Sequence, residues 1–248
     1  MAGGVGSRFW PMSTTECPKQ FIDVFGTGRT FIQMTYDRFK GLIAPENVWV
    51  VTSRQYADMV AEQLPDIPKS NILLEPCRRN TAPCIAYVSW RIKAKNPKAN
   101  LVISPADHLV TDVVEFQRVI GSALKFTSET DSIVTLGMTP TRPETGYGYI
   151  QADLYEPSLS NKEIYRVDSF KEKPNLETAK KYIQSKEYYW NSGIFIWSVN
   201  TIVNALRIYE PEMSRVFEDM YSVYGTDKEQ AAIDEKFPQC ESVSIDYA

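Results

Sequence analysis

With 248 residues the chain is long enough to bury the core of one large domain. Hydrophobic residues make up 43% and charged residues 23%, the proportions of an ordinary globular protein. The net charge of −4 offers no general attraction for nucleic acid or an anionic membrane, so any phosphate ligand has to be held by a local group of cations, and no apolar run approaches membrane-spanning length.

The chain opens on Met1-Ala2-Gly3-Gly4-Val5-Gly6-Ser7-Arg8-Phe9-Trp10-Pro11 and runs on to Pro18-Lys19. Glycines at 3, 4 and 6 free the backbone to approach a ligand closely, and successive N–H groups in such a turn form an anion-binding nest. Arg8 adds a planar fork suited to phosphate oxygens and Lys19 a compact positive charge. Two common phosphate loops do not fit: no Gly-Lys-Ser/Thr triplet follows, and Phe9 stands where the dinucleotide fingerprint needs glycine. A glycine-rich surface turn beside exposed charges remains the plain alternative.

Thr30 is placed to cap a helix through about Leu42, with Phe31, Met34, Tyr36 and Phe39 facing inward. The apolar run 47–52 reads as a buried strand, followed by a helix from Gln55 to Leu64 that Pro65 closes. Ile72-Leu73-Leu74 is a second brief strand, and Thr81 and Pro83 open a helix to Ala94. Leu101-Val102-Ile103-Ser104 is the next strand, with Asp107 just past its end; Asp112 and Glu115 then frame a helix start, and 132–138 is a further strand. This alternation predicts an α/β fold: a mostly parallel twisted sheet with helices on both faces, ligands sitting beyond the carboxyl ends of the strands. From Thr145 to Lys173, glycines, tyrosines and alternating runs predict a small antiparallel meander. A helix at 176–185, a strand at 193–197 and helix starts at Asn200 and Pro211 complete the pattern.

Cys17, Cys77, Cys84 and Cys240 form no C-x-x-C pair, and His108 is the single histidine, so no zinc-like ligand set exists. Free thiols in a reducing, cytoplasmic setting are the reading this favours.

The Gly3-Gly4-x-Gly6-x-Arg8 pattern followed by Pro18-Lys19 resembles the signature of the sugar-phosphate nucleotidylyltransferases. Six further blocks follow in order: 75–83 (Glu-Pro-Cys-Arg-Arg-Asn-Thr-Ala-Pro), 105–108 (Pro-Ala-Asp-His), 145–150 (Thr-Gly-Tyr-Gly-Tyr-Ile), 170–174 (Phe-Lys-Glu-Lys-Pro), 190–195 (Trp-Asn-Ser-Gly-Ile-Phe) and 244–248 (Ser-Ile-Asp-Tyr-Ala). Together they look like the bacterial branch of the family that joins GMP to mannose 1-phosphate, and they run from end to end of the chain. The resemblance implies a single nucleotidylyltransferase domain over 1–248 with a Rossmann-like, nucleotide-diphospho-sugar transferase fold. It also implies a chain truncated at both ends, since a first strand would precede Gly3 and a C-terminal extension would follow Ala248.

What the resemblance assigns to residues is specific. Gly3, Gly4, Gly6, Arg8, Glu75, Asn80 and Thr81 would bind the nucleotide; Gly146, Gly148, Glu172, Lys173, Asn191 and Gly193 would bind the sugar phosphate. Arg8, Lys19, Asp107 and Lys173 would be catalytic, and Asp107 and Asp246 would hold Mg²⁺, which prefers hard oxygen ligands. GTP and mannose 1-phosphate are the expected partners, without nucleic acid or membrane, and a homo-oligomer stays open. Residue by residue, plainer readings exist: Asp107 starting a turn, Asp246 exposed near a frayed end, Glu172-Lys173 as solvated charge, Thr81 as a helix cap, Gly146 and Gly148 as a strand bulge. His108 reads as a packing residue, because the chemistry needs no proton shuttle. Two alternatives to the expected function stand beside it: a related enzyme using another sugar 1-phosphate or nucleoside triphosphate, and a non-catalytic nucleotide-sugar-binding homologue.

Overall fold

Thr30 caps the first helix as its position predicts: its N–H donates to Gln33 Oε1 at 3.1 Å, and α1 (Phe31–Asp37) follows. The helix ends at Asp37 rather than near Leu42, because Phe39 starts a run of tight turns whose N–H groups at Leu42 and Ile43 both donate back to its carbonyl. The structure, a computed structural model, describes residues 1–4, 9–158 and 161–248. Onward in chain order come β1 (Val50–Ser53), α2 (Ala57–Gln63), β2 (Ile72–Glu75), α3 (Thr81–Lys95), β3 (Asn100–Ile103), α4 (Val113–Glu129) and β4 (Val134–Met138). Then come β5 (Gly148–Pro157), β6 (Tyr165–Glu172), α5 (Leu176–Ser185), β7 (Tyr188–Ser198), α6 (Val199–Tyr209), α7 (Pro211–Glu218) and α8 (Glu229–Lys236). Side-chain caps start several of these helices: Asp112 accepts from Glu115 N, Asn175 from Thr178 N and Ser198 from Thr201 N, each satisfying an N–H that the helix leaves open.

The α/β class is as expected, but the mostly parallel, Rossmann-like sheet is not. Among the described residues parallel pairing is confined to β1 and β2, with Val50 opposite Ile72 and Ser53 opposite Glu75. The larger sheet is antiparallel and built on β7, which the sequence marks only as a short strand. Residues 195–198 of β7 pair with β3 and residues 188–190 with β5, while β4 pairs along the opposite edge. Buried runs such as Leu101–Ile103 reveal that a strand is enclosed; they carry no information on which distant segment lies beside it or in which direction. The expected antiparallel meander is present, as β5 and β6 with Gly148 opposite Glu172.

Helices do cover both faces, and β7 shows why. Phe195 and Trp197 point into the largest core, with α3, α6 and α7, while Ile194 and Ile196 point the other way, to Phe116, Ile120 and Ala123 of α4. A third cluster gathers Ala2, Phe21, Ile32, Tyr36, Val50 and Tyr56 around β1. Between the facing edges of β1 and β3 runs a groove of about 620 Å³, walled by Val50, Val51, Leu101, Val102, Ile103 and Ile32. Among the described residues neither edge has a strand partner there. Met1 and Ala2 enter one end: Ala2 N donates to Val51 O at 2.8 Å and the Met1 amino group to Ser104 O at 3.0 Å. No described helix is long and apolar enough to cross a membrane.

Candidate active site

Ala2 and Gly4 are fixed by one buried side chain. Gln20 Nε2 donates to Ala2 O at 2.8 Å and to Gly4 O at 2.9 Å, and Thr52 Oγ1, at the carboxyl end of β1, donates to Ala2 O at 3.0 Å. Gly3 then passes directly over Glu75, the last residue of β2: a Cβ at Gly3 would stand 3.1 Å from Glu75 Oε2. Glu75 is 8% exposed, and burial lifts its carboxyl to about 7 against the opposing pull of the Cys84 thiol and the Met1 ammonium. Among the described residues its Oε1 has no hydrogen-bond partner. Gly6 and Arg8 lie outside the described residues.

Lys19 and Asp107 come together beside this segment. Lys19 Nζ donates to Asp107 O at 3.0 Å and lies 3.5 Å from Asp107 Oδ2, while resting against the faces of Phe9 and Phe31. Asp107 sits on the loop after β3, and Arg38, at the end of α1, holds that loop from beneath. The guanidinium donates to His108 O at 3.0 Å, Ser104 Oγ at 2.9 Å and Pro105 O at 3.4 Å. His108 is pushed below its ordinary value, first by burial and then by the nearby Arg38 and Lys19 charges, against the pull of Asp107, so its imidazole is neutral near pH 7.

A second group of residues is joined by one directed hydrogen-bond chain. Ile245 N donates to Thr81 Oγ1 at 2.8 Å, Thr81 Oγ1 and Ser244 Oγ are 3.1 Å apart, and Ser244 Oγ donates to Asp246 Oδ2 at 2.7 Å. A hydroxyl has one proton, and that of Ser244 is spent on Asp246, so Thr81 is the donor to Ser244. Asn191 Nδ2 donates to the other oxygen, Asp246 Oδ1, at 2.8 Å, and Asn191 Oδ1 accepts from Gly193 N at 2.9 Å. The cap of α3 is Asn80 rather than Thr81: Asn80, at φ 66°, accepts from Thr81 N, which leaves the Thr81 hydroxyl for the tail.

Glu172 lies across β5 at Gly148, where an added Cβ would collide with Glu172 Oε1 and meet Asn191 Cβ at 3.5 Å. Lys173 pairs with Glu172 Oε2 at 3.3 Å and is largely exposed. Its backbone, at φ 41°, donates to Tyr147 O, and Gly146 N donates to Glu144 Oε1 at 3.1 Å. Pro105 bridges the two groups, its Cγ 3.6 Å from a Cβ position at Gly193. The structure therefore brings Gly3, Gly4, Lys19, Glu75 and Asp107 to one place, and Thr81, Gly148, Glu172, Asn191, Gly193 and Asp246 to a second that adjoins it. Asp107 and Asp246 keep separate polar partners. Gln20, Arg38 and Ser244 were not marked by sequence reasoning; a buried glutamine or arginine gives no periodic signal, and Ser244 stood inside a block read for its aspartate.

The donor set fits a hard divalent ion. The Asp107 and Asp246 carboxylates are oxygen donors of the type such an ion takes. Among the described residues no group of three or more His, Cys, Asp or Glu side chains could hold a metal.

Comparison with known proteins places this geometry in context. The family model described as nucleotidyl transferase matches residues 1–235. Mannose-1-phosphate guanylyltransferase of Escherichia coli is 40% identical over 256 residues, covering 100% of this chain and 54% of that protein. The enzyme of the same name from Salmonella montevideo is 40% identical over 253 residues, covering 100% of this chain and 52% of that protein. The chain spans about half the length of the curated relatives it matches. Among solved structures, one described as mannose-1-phosphate geranyltransferase from Thermus thermophilus superposes with a TM-score of 0.86 at 32% identity, over 100% of this chain and 68% of that one.

Proposed function

This chain belongs to the nucleotidyl transferase family, and from that premise we propose that it carries the site which transfers GMP from GTP to α-D-mannose 1-phosphate, releasing pyrophosphate. The observation that carries the proposal is the meeting of Lys19 and Asp107 beside the Gly3–Gly4 segment, a cation and a carboxylate next to backbone suited to a triphosphate.

The reaction forms a bond between a 1-phosphate oxygen and the α-phosphorus of GTP. The bond from that phosphorus to the bridging β-oxygen breaks, and pyrophosphate takes the electron pair. The nucleophile is already an anion at pH 7, so no general base is required, in keeping with a half-buried His108 whose pKa is lowered. The work left to the protein is alignment and neutralisation of charge. Lys19, with Arg8 by resemblance, would hold the triphosphate. Glu75, Asn80 and Thr81, around the amino end of α3, would seat the nucleoside. Glu172 would take sugar hydroxyls beside Gly146, Gly148, Asn191 and Gly193, and Lys173 the acceptor phosphate. Asp107 and Asp246 would hold Mg²⁺, which when bound neutralises phosphate oxygens as charge builds on the leaving group.

A pyrophosphate-release assay across nucleoside triphosphates and sugar 1-phosphates tests the proposal. Release with GTP and mannose 1-phosphate above all other pairs is expected; another preferred pair, or none, refutes it. Asp107→Ala should lower the rate by about a hundredfold or more while the chain stays folded, and near-parent rates would remove Asp107 from the mechanism.

A further inference from the structure

Arg38 is 2% exposed, and among the described residues no carboxylate lies within ion-pair distance of its guanidinium. Burying a charge without a counterion is costly, and packing alone would be served as well by an apolar side chain of the same length. Its surroundings are specific nonetheless. The guanidinium lies against the ring faces of Phe39 and Phe116, and its own carbonyl accepts from Gln117 Nε2 at 3.0 Å, so α4 fixes it from behind. All three groups that accept from it belong to residues 104–108: Ser104 Oγ, Pro105 O and His108 O. Between the last two, Asp107 O accepts from Lys19.

We propose that Arg38 is a positioning residue, fixing the loop that carries Asp107 by gripping the peptide groups on both sides of it. The inference rests on the metal and phosphate role given above to Asp107. A planar fork is suited to the task because it reaches acceptors three residues apart at once, which a point charge on a flexible stem does not. Burial lowers the Arg38 pKa to about 10 while the Asp107 charge opposes that shift, so the guanidinium is cationic at neutral pH.

The test uses the 248-residue chain with two variants, Arg38→Met and Arg38→Lys, and two readouts. Amide hydrogen exchange should accelerate at least tenfold at residues 106–109 in Arg38→Met while amides of β3 and α4 keep parent rates; Arg38→Lys should fall between. Half-saturation by Mn²⁺, followed by the loss of the free-ion resonance signal, should move at least tenfold higher in Arg38→Met. Exchange at 106–109 unchanged in a folded Arg38→Met, or accelerated equally throughout the chain, overturns the proposal in favour of a core spacer. If Arg38→Met does not fold, Arg38→Lys decides by the same criteria, parent-like loop exchange overturning the proposal. A parent chain that binds no Mn²⁺ refutes the metal reading, and the exchange comparison still decides the role of Arg38.

Discussion

Lys19 grips Asp107 at two points, its ammonium donating to the main-chain oxygen at 3.0 Å and standing 3.5 Å from the carboxylate. The lysine thus occupies one side of the carboxylate that the proposed divalent ion would use, and the two cations would compete for it. Lys19→Met should lower turnover by about two to three orders of magnitude, the usual cost of removing a group that meets developing charge. In the nucleotide-free chain the same change should tighten Mn²⁺ binding, by roughly two- to fivefold for a partly exposed pair. Titration of both proteins with Mn²⁺ checks this; weaker binding by the variant contradicts it.

Two glycines offer a controlled comparison between site and scaffold. At Gly148 an added methyl would strike only the end of the Glu172 side chain, which can swing away. Gly148→Ala should therefore keep its melting temperature within a few degrees yet raise KM for the sugar phosphate about tenfold, since Glu172 leaves its place beside Asn191. At Gly137 the methyl would stand 2.7 Å from Tyr189 Cβ, the root of a side chain on β7. Gly137→Ala should cost about 1–3 kcal/mol of stability through overpacking, without a change in KM. Thermal melts and kinetics on the two variants separate the effects.

Glu75 makes stability depend on pH. Its carboxyl is raised by burial from 4.5 to about 7 in the folded chain, so between those values the native state holds a proton that the unfolded state has released. Stability from this group is complete below about pH 4.5, is lost as pH rises towards 7, and changes little above. The loss is on the order of 3 kcal/mol. Glu75→Gln should abolish that fall, leaving the variant relatively more stable at about pH 8 than at about pH 5; urea melts at the two values measure it.

Those residues also show what the sequence made legible. The helix at 176–185 was readable to the residue because Asn175 caps it and its apolar face repeats at helical spacing. Helix starts near Thr81, Asp112 and Pro211 were readable for similar local reasons. Sheet architecture was not: β7 draws its partners from residues 100–103, 134–138 and 149–151, and such long-range pairing leaves no mark on a local pattern. In the site, Lys19, Asp107 and Asp246 were marked by ordered motifs, whereas Arg38 and Gln20 act through backbone carbonyls that any residue could supply.

The groove between β1 and β3 predicts a gain in stability. Added residues ahead of Met1 would run into a slot whose walls are apolar and whose two strand edges offer backbone partners. They would also convert the Met1 ammonium, whose pKa burial lowers, into an uncharged peptide N–H. A chain extended there by about five or six β-branched residues, a typical strand length, should melt several degrees higher than the 248-residue chain. Equal melting temperatures would show that the slot does not take a strand.

The segment from Val243 to Asp246 ties the start of α3 to Asn191 of β7. Val243 O accepts from Ala82 N, Ile245 N and Ser244 Oγ meet Thr81, and Asp246 takes the amide of Asn191. The four residues therefore act as a fixed gauge between the expected seat of the base and that of the sugar. The proposed reaction needs two phosphorus-bearing groups in line, so a single inserted residue there would spoil the alignment while the side chains proposed to meet the substrates remained unchanged.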